Sequence, residues 1–424
     1  MVRLGLRLRL RLRGRGRVAM AGGFPGRLLL RRENPGRASF LELFFDLAFI
    51  FALTRLSRAL LDNPSILGGI QVALMLAALW WVWFVTAWSA DWFDPRAPLI
   101  VALLLWVMFG GLLMAAAVPT AFDGHAPVFA VAYVAIHLGR AAILIPALRG
   151  HPLQVRSLRV AVWFAISGVL WVVGAVVAPA RAVLWALALV LEYLLARLRW
   201  PFPRLGRSTW TELQVNGRHL SERYQQIFII ALGELILISG VTYSESGMDR
   251  DSTLAFALAF VTAVALARLY LVPAGARLAE RIEAAGPPGS RVTLKAGYLH
   301  LVMIAGVLAT SVAMEMTIDD PAGNDRGQLA LGAIGPALFL TARIHLAAVV
   351  DGNRPWARLV GVPVIVVAGL ATVKLPQLVN SAVVAGVLLL IVLVDAMPGL
   401  RRFGRQVGGR DGVDTRRRGE RSDA

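Results

Sequence analysis

Apolar blocks of about twenty residues alternate with short polar breaks along most of the chain, and at 1.5 Å rise per residue such a block crosses the hydrocarbon core of a bilayer. The blocks predict helices over 39–61, 66–90, 97–118, 127–148, 160–178, 182–198, 222–242, 252–273, 294–317, 328–350, 357–375 and 379–397. Turn-forming residues fill several breaks, among them Asp62-Asn63-Pro64, Asp94-Pro95 and Gly286-Pro287-Pro288-Gly289. The expected fold class is an all-α integral membrane protein with about twelve transmembrane helices.

The pattern also divides the chain. A basic connection at 199–218 separates a first six-helix half, 39–198, from a second, 219–399. Outside them lie a basic N-terminal arm, 1–38, and a basic C-terminal tail, 400–424, which reads as disordered. The arm alternates leucine and arginine without the uninterrupted apolar core of a signal peptide. Met1 and Met20 both remain open as its start, and disorder near anionic headgroups is the expectation if it is present.

The halves resemble each other weakly. Glu42-Leu-Phe-Phe-Asp46-Leu-Ala-Phe-Ile50 lies over Glu222-Arg-Tyr-Gln-Gln226-Ile-Phe-Ile-Ile230 without a gap, which sets Asp46 over Gln226 and Thr54 over Glu234. Ile136-His137-Leu138 recurs as Ile344-His345-Leu346, and Glu192 of the sixth block has a counterpart in Asp395 of the twelfth. Two copies of six helices share one orientation, so a site is expected between the halves where the first and seventh helices approach.

Composition narrows the class. The 424 residues are 57% hydrophobic and 17% charged, against about a quarter charged in soluble domains. The net charge of +18 does not indicate nucleic acid, because the arginines cluster at block ends. Loops around Arg149, Arg204, Arg281 and Arg354 fall on one side with both termini, and those with Asp62, Asp123, Asp249 and Asp319-Asp320 on the other. That asymmetry predicts cytoplasmic termini, with 91–96 the one poorly matched loop. The absence of cysteine excludes disulfides, thiolate metal sites and cysteine nucleophiles.

Candidate chemistry consists of charges where lipid would penalise them. Glu42 and Asp46 are four apart and share a helix face, to which Ser57 nearly returns. Glu234 is about 18 Å along its helix from Glu222, close to mid-membrane. Glu42, Asp46, Ser57, Gln226 and Glu234 are the expected ion- or solute-binding residues, with Glu42 and Asp46 open equally to a role as structural anchors neutralised by partner arginines. His137, Arg140, Glu222, Arg223, Arg343 and His345 are the expected motif or ion-pair residues, with Arg140 and Arg343 the cations available to Glu234. His219 and Glu222 do not complete a His-Glu-x-x-His zinc motif, and phosphate-loop, dinucleotide and serine-hydrolase signatures are missing from any usable context. No catalytic residue, metal ligand or cofactor is expected.

Two stretches carry a family resemblance. Glu42-Leu-Phe-Phe-Asp46-Leu-Ala-Phe-Ile50-Phe51, continuing to Leu56-Ser57, resembles the opening motif of the bacterial low temperature requirement A (LtrA) family. His219-Leu-Ser-Glu222-Arg223, followed by Ile229-Ile-Ala-Leu-Gly233-Glu234, resembles its second motif. The similarity spans roughly 37–400 and departs at Arg55, where a smaller or uncharged polar residue is expected. It implies a multi-pass protein of the bacterial inner membrane and makes Glu42, Asp46, Glu222, Arg223, Gly233 and Glu234 the motif residues, without implying a mechanism. Three functions follow as expectations: passage of a small ion or polar solute along Asp46 and Glu234, a membrane enzyme acting on a lipid or lipid-linked substrate, or a non-catalytic sensor or assembly factor. The first is preferred and an enzyme is disfavoured. The expected partners are the bilayer and an unidentified solute, with oligomeric state open.

Overall fold

The computed structural model describes residues 28–29, 39–271, 274–286, 289–352 and 355–397. The helices are α1 (Phe40–Asp62), α2 (Ile66–Ala90), α3 (Pro98–Ala117), α4 (Ala126–Ala147), α5 (Pro152–Val176) and α6 (Arg181–Arg197). The second half contributes α7 (Gly217–Glu245), α8 (Arg250–Leu271), α9 (Ala274–Ala284), α10 (Gly289–Asp319), α11 (Arg326–Asp351), α12 (Trp356–Ala371) and α13 (Gln377–Met397). Extended pairing among the described residues is confined to two isolated bridges, Leu29 with Phe93 and Phe202 with Gly206.

Local sequence explains where the helices begin. Ser39 starts α1 with a capping box: its hydroxyl accepts the Glu42 N–H at 3.3 Å while Glu42 accepts the Ser39 N–H at 2.8 Å. Ser65 caps α2 through the Gly68 N–H at 3.1 Å, and Asn216 caps α7 through the N–H groups of Arg218 and His219. Pro98, Pro127 and Pro152 occupy first-turn positions of α3, α4 and α5, where proline's missing N–H leaves no bond unmade.

Ten of these helices are long and apolar enough to cross a membrane. Large apolar side chains are exposed around the bundle, including Phe109, Val169, Val190, Leu237, Phe260 and Leu393, which suits a hydrocarbon surround rather than water. Length does not distinguish α1 from the ten, since it has 23 residues; its charges, Glu42, Asp46, Arg55 and Arg58, do. The α12 helix is apolar but only 16 residues long.

The α10 helix is the most enclosed of the ten and packs against α1, α2, α7, α8 and α11. Its crossing with α11 relies on two glycines. A Cβ on Gly306 would lie 2.6 Å from the Gly335 carbonyl oxygen, and one on Gly335 would lie 2.7 Å from the Thr310 nitrogen. Such backbone proximity is open only to glycine, the recurrent device of helix pairs in lipid.

The α7 and α10 helices begin a turn or more before their expected starts, at Gly217 and Gly289, and three further features differ from the sequence expectations. The α5 helix begins at Pro152 instead of 160, because Arg159 is satisfied within the bundle: it meets Glu212 at 3.1 Å, Ser208 at 3.2 Å and the Leu205 carbonyl at 3.1 Å. The α9 helix fills a stretch read as an arginine-rich break. Leu278 and Ile282, one turn apart, are buried, and Gly217 of α7 comes close to the Ala279 carbonyl oxygen. Leu28, in the arm expected to be free, is buried beside Phe93, and its carbonyl accepts the Asp94 N–H at 2.9 Å. The rest of the arm, and the tail at 400–424, lie outside the described residues.

Replacing Gly306 or Gly335 by valine should destabilise the protein by about 1–3 kcal/mol, the usual range for overpacking. Alanine at Gly233, where a Cβ meets nothing within 4 Å, should be nearly neutral. Thermal unfolding in a fixed detergent reads both effects.

Candidate functional site

The polar residues of the first motif meet those of the second. Asp46 on α1 is fully buried and receives both terminal nitrogens of Arg223 on α7, Nη2 to Oδ1 at 2.7 Å and Nη1 to Oδ2 at 2.8 Å. Trp83 of α2 donates its indole N–H to the same carboxylate at 2.7 Å. Arg223, itself 1% exposed, also donates to the Glu42 carbonyl at 2.9 Å, and its guanidinium lies 5.8 Å from the rings of both Phe45 and Trp83. A buried charge is tolerated when its partner's geometry is bidentate and its remaining hydrogen-bonding capacity is met, and Asp46 meets both conditions.

One turn toward the helix starts, His219 bridges two carboxylates. Its Nε2 is 3.0 Å from Glu42 Oε1 and its Nδ1 is 3.1 Å from Asp91 Oδ1. The other Asp91 oxygen accepts the Asn216 N–H at 2.7 Å. Asp91, one of the two aspartates in the loop at 91–96, is thus an internal partner of α7. Together these contacts join α1, α2 and α7 at one end of the bundle.

Deeper in the bundle, Thr54 of α1 donates its hydroxyl to Glu234 Oε2 at 2.8 Å. Glu234 is 4% exposed, and its Oε1 has no hydrogen-bond partner among the described residues. Beside it is a cavity of about 10 Å³ lined by Leu53, Ser57, Ala231, Glu234, Ile304, Leu308 and Ser311. The hydroxyls of Ser57 and Ser311 are likewise buried without partners among the described residues. Three polar atoms from α1, α7 and α10 therefore belong to residues around a space comparable with one water molecule. Farther along α1, Arg58 pairs with Glu315 of α10 at 3.0 Å; the arginine side chain is 43% exposed and the glutamate 3%.

The remaining expected residues separate from this group. Gln226 makes only a long contact with Arg223, 3.5 Å, and Glu222 is half-buried with no ion pair among the described residues. Arg140 is no partner of Glu234: buried at the α2–α4 contact, it donates to the Thr86 hydroxyl. Arg343 directs Nε to the Leu269 carbonyl at 3.0 Å. His137 is buried and stacks 3.7 Å from Phe164, whereas His345 is exposed and bonds to its own helix, so these two positions differ in environment. Glu192 accepts from Tyr133 and Trp171, while Asp395 pairs with Arg358 at 2.6 Å. Sequence reasoning passed over Glu315 and Trp83. Glu315 carries the same signal as Glu234, a carboxyl inside an apolar block, but the role of Trp83 needs tertiary structure. Among the described residues, no group of three His, Asp or Glu side chains is placed to hold a metal ion.

An all-α bundle with apolar outer faces and charges paired between helices defines a multi-pass membrane protein. The model of the bacterial low temperature requirement A protein (LtrA) family matches residues 37–393, and the chain belongs to that family. It is 34% identical over 374 residues to the uncharacterized protein RA0937 of Rhizobium meliloti (strain 1021), an alignment covering 86% of this chain and 90% of the relative. No solved structure matches it.

Truncating one partner of the clamp should be far worse than removing both. Arg223→Met leaves Asp46 buried without its cation and should cost about 3–5 kcal/mol. Adding Asp46→Leu to that variant should recover a large part of the loss in thermal unfolding.

Proposed function

We propose that the protein moves a small ion or polar solute across the bacterial cytoplasmic membrane, and that the translocated or coupling species is a proton or a small monovalent cation. The single observation that carries this reading is Glu234: a buried carboxylate with one oxygen uncommitted among the described residues, beside a one-water cavity that Ser57 and Ser311 also line. Ionisable side chains at membrane depth are expensive to insert, so an acidic group with free coordination capacity there marks an ion site. Oxygen ligands from a carboxylate and two hydroxyls suit a small hard cation or a hydrated proton. The Arg58–Glu315 pair, with its half-exposed arginine, connects the neighbourhood of the cavity to the bundle surface.

Asp46 takes a different role in this account. Its bidentate pairing with Arg223 consumes its charge, so it holds α1 to α7 and leaves the ion to Glu234.

The architecture proposed is twelve spans in two six-helix halves of one orientation, with α1 and α12 joining the ten long apolar helices and α9 lying along the interface. Contact between Thr54 and Glu234 supports the repeat. These residues occupy equivalent positions in the gapless overlay of the halves, and equivalent positions meet when both lie near a two-fold axis along the membrane normal. The arginine-bearing loops support a cytoplasmic location for both termini.

Reconstituted protein should show proton or sodium flux that Glu234→Gln abolishes while the variant remains monodisperse and folded. Wild-type flux in that variant would remove the proposal.

A further inference from the structure

A second cavity, of about 90 Å³, lies in the first half and shares no lining residue with the Glu234 space. Its walls come from α2, α4, α5 and α6, from the connection that follows α6, and from Leu294 of α10. Phe93, Leu148, Leu153 and Leu213 place it at the bundle end where three loops converge. The walls are largely aromatic, with Trp81, Phe84, Trp88, Trp92, Phe164 and Trp200 around the space.

The charge of this pocket has one sign. Arg140 and Arg156 are in the lining, and no aspartate or glutamate is. Arg140 is only 6% exposed; Nη2 donates to Thr86, whereas Nε and Nη1 have no partner among the described residues. The indole N–H groups of Trp81 and Trp88 are also buried without partners among the described residues. Arg156 donates to the Glu212 carbonyl at 2.9 Å and lies 5.6 Å from the centre of the Trp92 ring. Nearby carboxylates are already engaged, Glu192 by Tyr133 and Trp171, Glu212 by Arg159. A buried guanidinium with donors unused among the described residues favours an anion beside it, since isolated charge is strongly disfavoured in a low-dielectric setting.

We propose that this pocket binds an organic anion, a carboxylate on a compact apolar body, with Arg140 holding the carboxylate and the tryptophans holding the body. Two guanidinium groups and no carboxylate in the lining select against cations, and the aromatic surface rewards an apolar body over a bare inorganic ion. The site stands whether or not Glu234 conducts an ion.

The test measures binding of radiolabelled benzoate to the full chain in lipid nanodiscs, with competition by benzyl alcohol, benzylammonium and decanoate. Saturable benzoate binding that neither benzyl alcohol nor benzylammonium displaces is expected. Displacement by decanoate would identify chain-bearing fatty acids as a source of the ligand, and failure to displace would restrict it to compact anions. Arg140→Met should weaken benzoate binding by about tenfold or more, as loss of a charge-assisted contact does. Ala161→Trp, which narrows the pocket with Arg140 intact, should weaken it as well and decides the matter if Arg140→Met does not fold. Absence of saturable binding to folded wild type, equal displacement by the neutral or cationic analogue, or undiminished binding by the folded variants would overturn the assignment.

Discussion

The arrangement depends on one constraint: a carboxylate and a guanidinium, both shut away from water, must find each other. Asp46 and Arg223 are 177 positions apart, and their pairing requires α1 and α7 to lie side by side. Once they do, Trp83 joins Arg223 in donating to Asp46 Oδ1, His219 reaches both Glu42 and Asp91, and Thr54 meets Glu234. A pair of this kind contributes less to net stability than to register, because desolvation offsets much of the Coulomb gain. Its effect is to make one alignment of the two helices far better than its neighbours. Sliding α7 by a turn would strand two charges in the interior.

That register separates the polar groups into three places with different chemistry. At the clamp, Asp46 is paired with Arg223, and His219 lies between Glu42 and Asp91, so these groups serve to join helices. Around Glu234, one carboxylate oxygen and two hydroxyls have no partner among the described residues, beside a space sized for a single water or ion. Around Arg140 the signs reverse, with cationic and indole donors lining a larger aromatic cavity.

Much of this was legible before the fold was known, for identifiable reasons. Apolar blocks of membrane length marked the helices, and acids within them marked Glu42, Asp46 and Glu234, because insertion penalties make such residues rare. Partners were not legible, since a charge does not record which distant helix will supply its counterion. Arg140 and Arg343 were reasonable cations for Glu234, yet the structure sends Arg140 to Thr86 and Arg343 to a carbonyl. The α9 helix was hidden by the prolines after it and by charges that left only Leu278 and Ile282 as an apolar stripe. Leu28 shows the same limit: one buried leucine in a low-complexity arm carries no periodic signal.

The most direct test of the account is the proximity of α1 and α7 within the membrane, and the absence of native cysteine gives a clean background. Cysteines introduced at Thr54 and Glu234, with a protease site in the connection at 199–216, would be oxidised in native membranes and then cleaved. The account predicts that the two fragments stay linked until reduced. Fragments that separate completely without reductant, in protein that is otherwise folded, would contradict it.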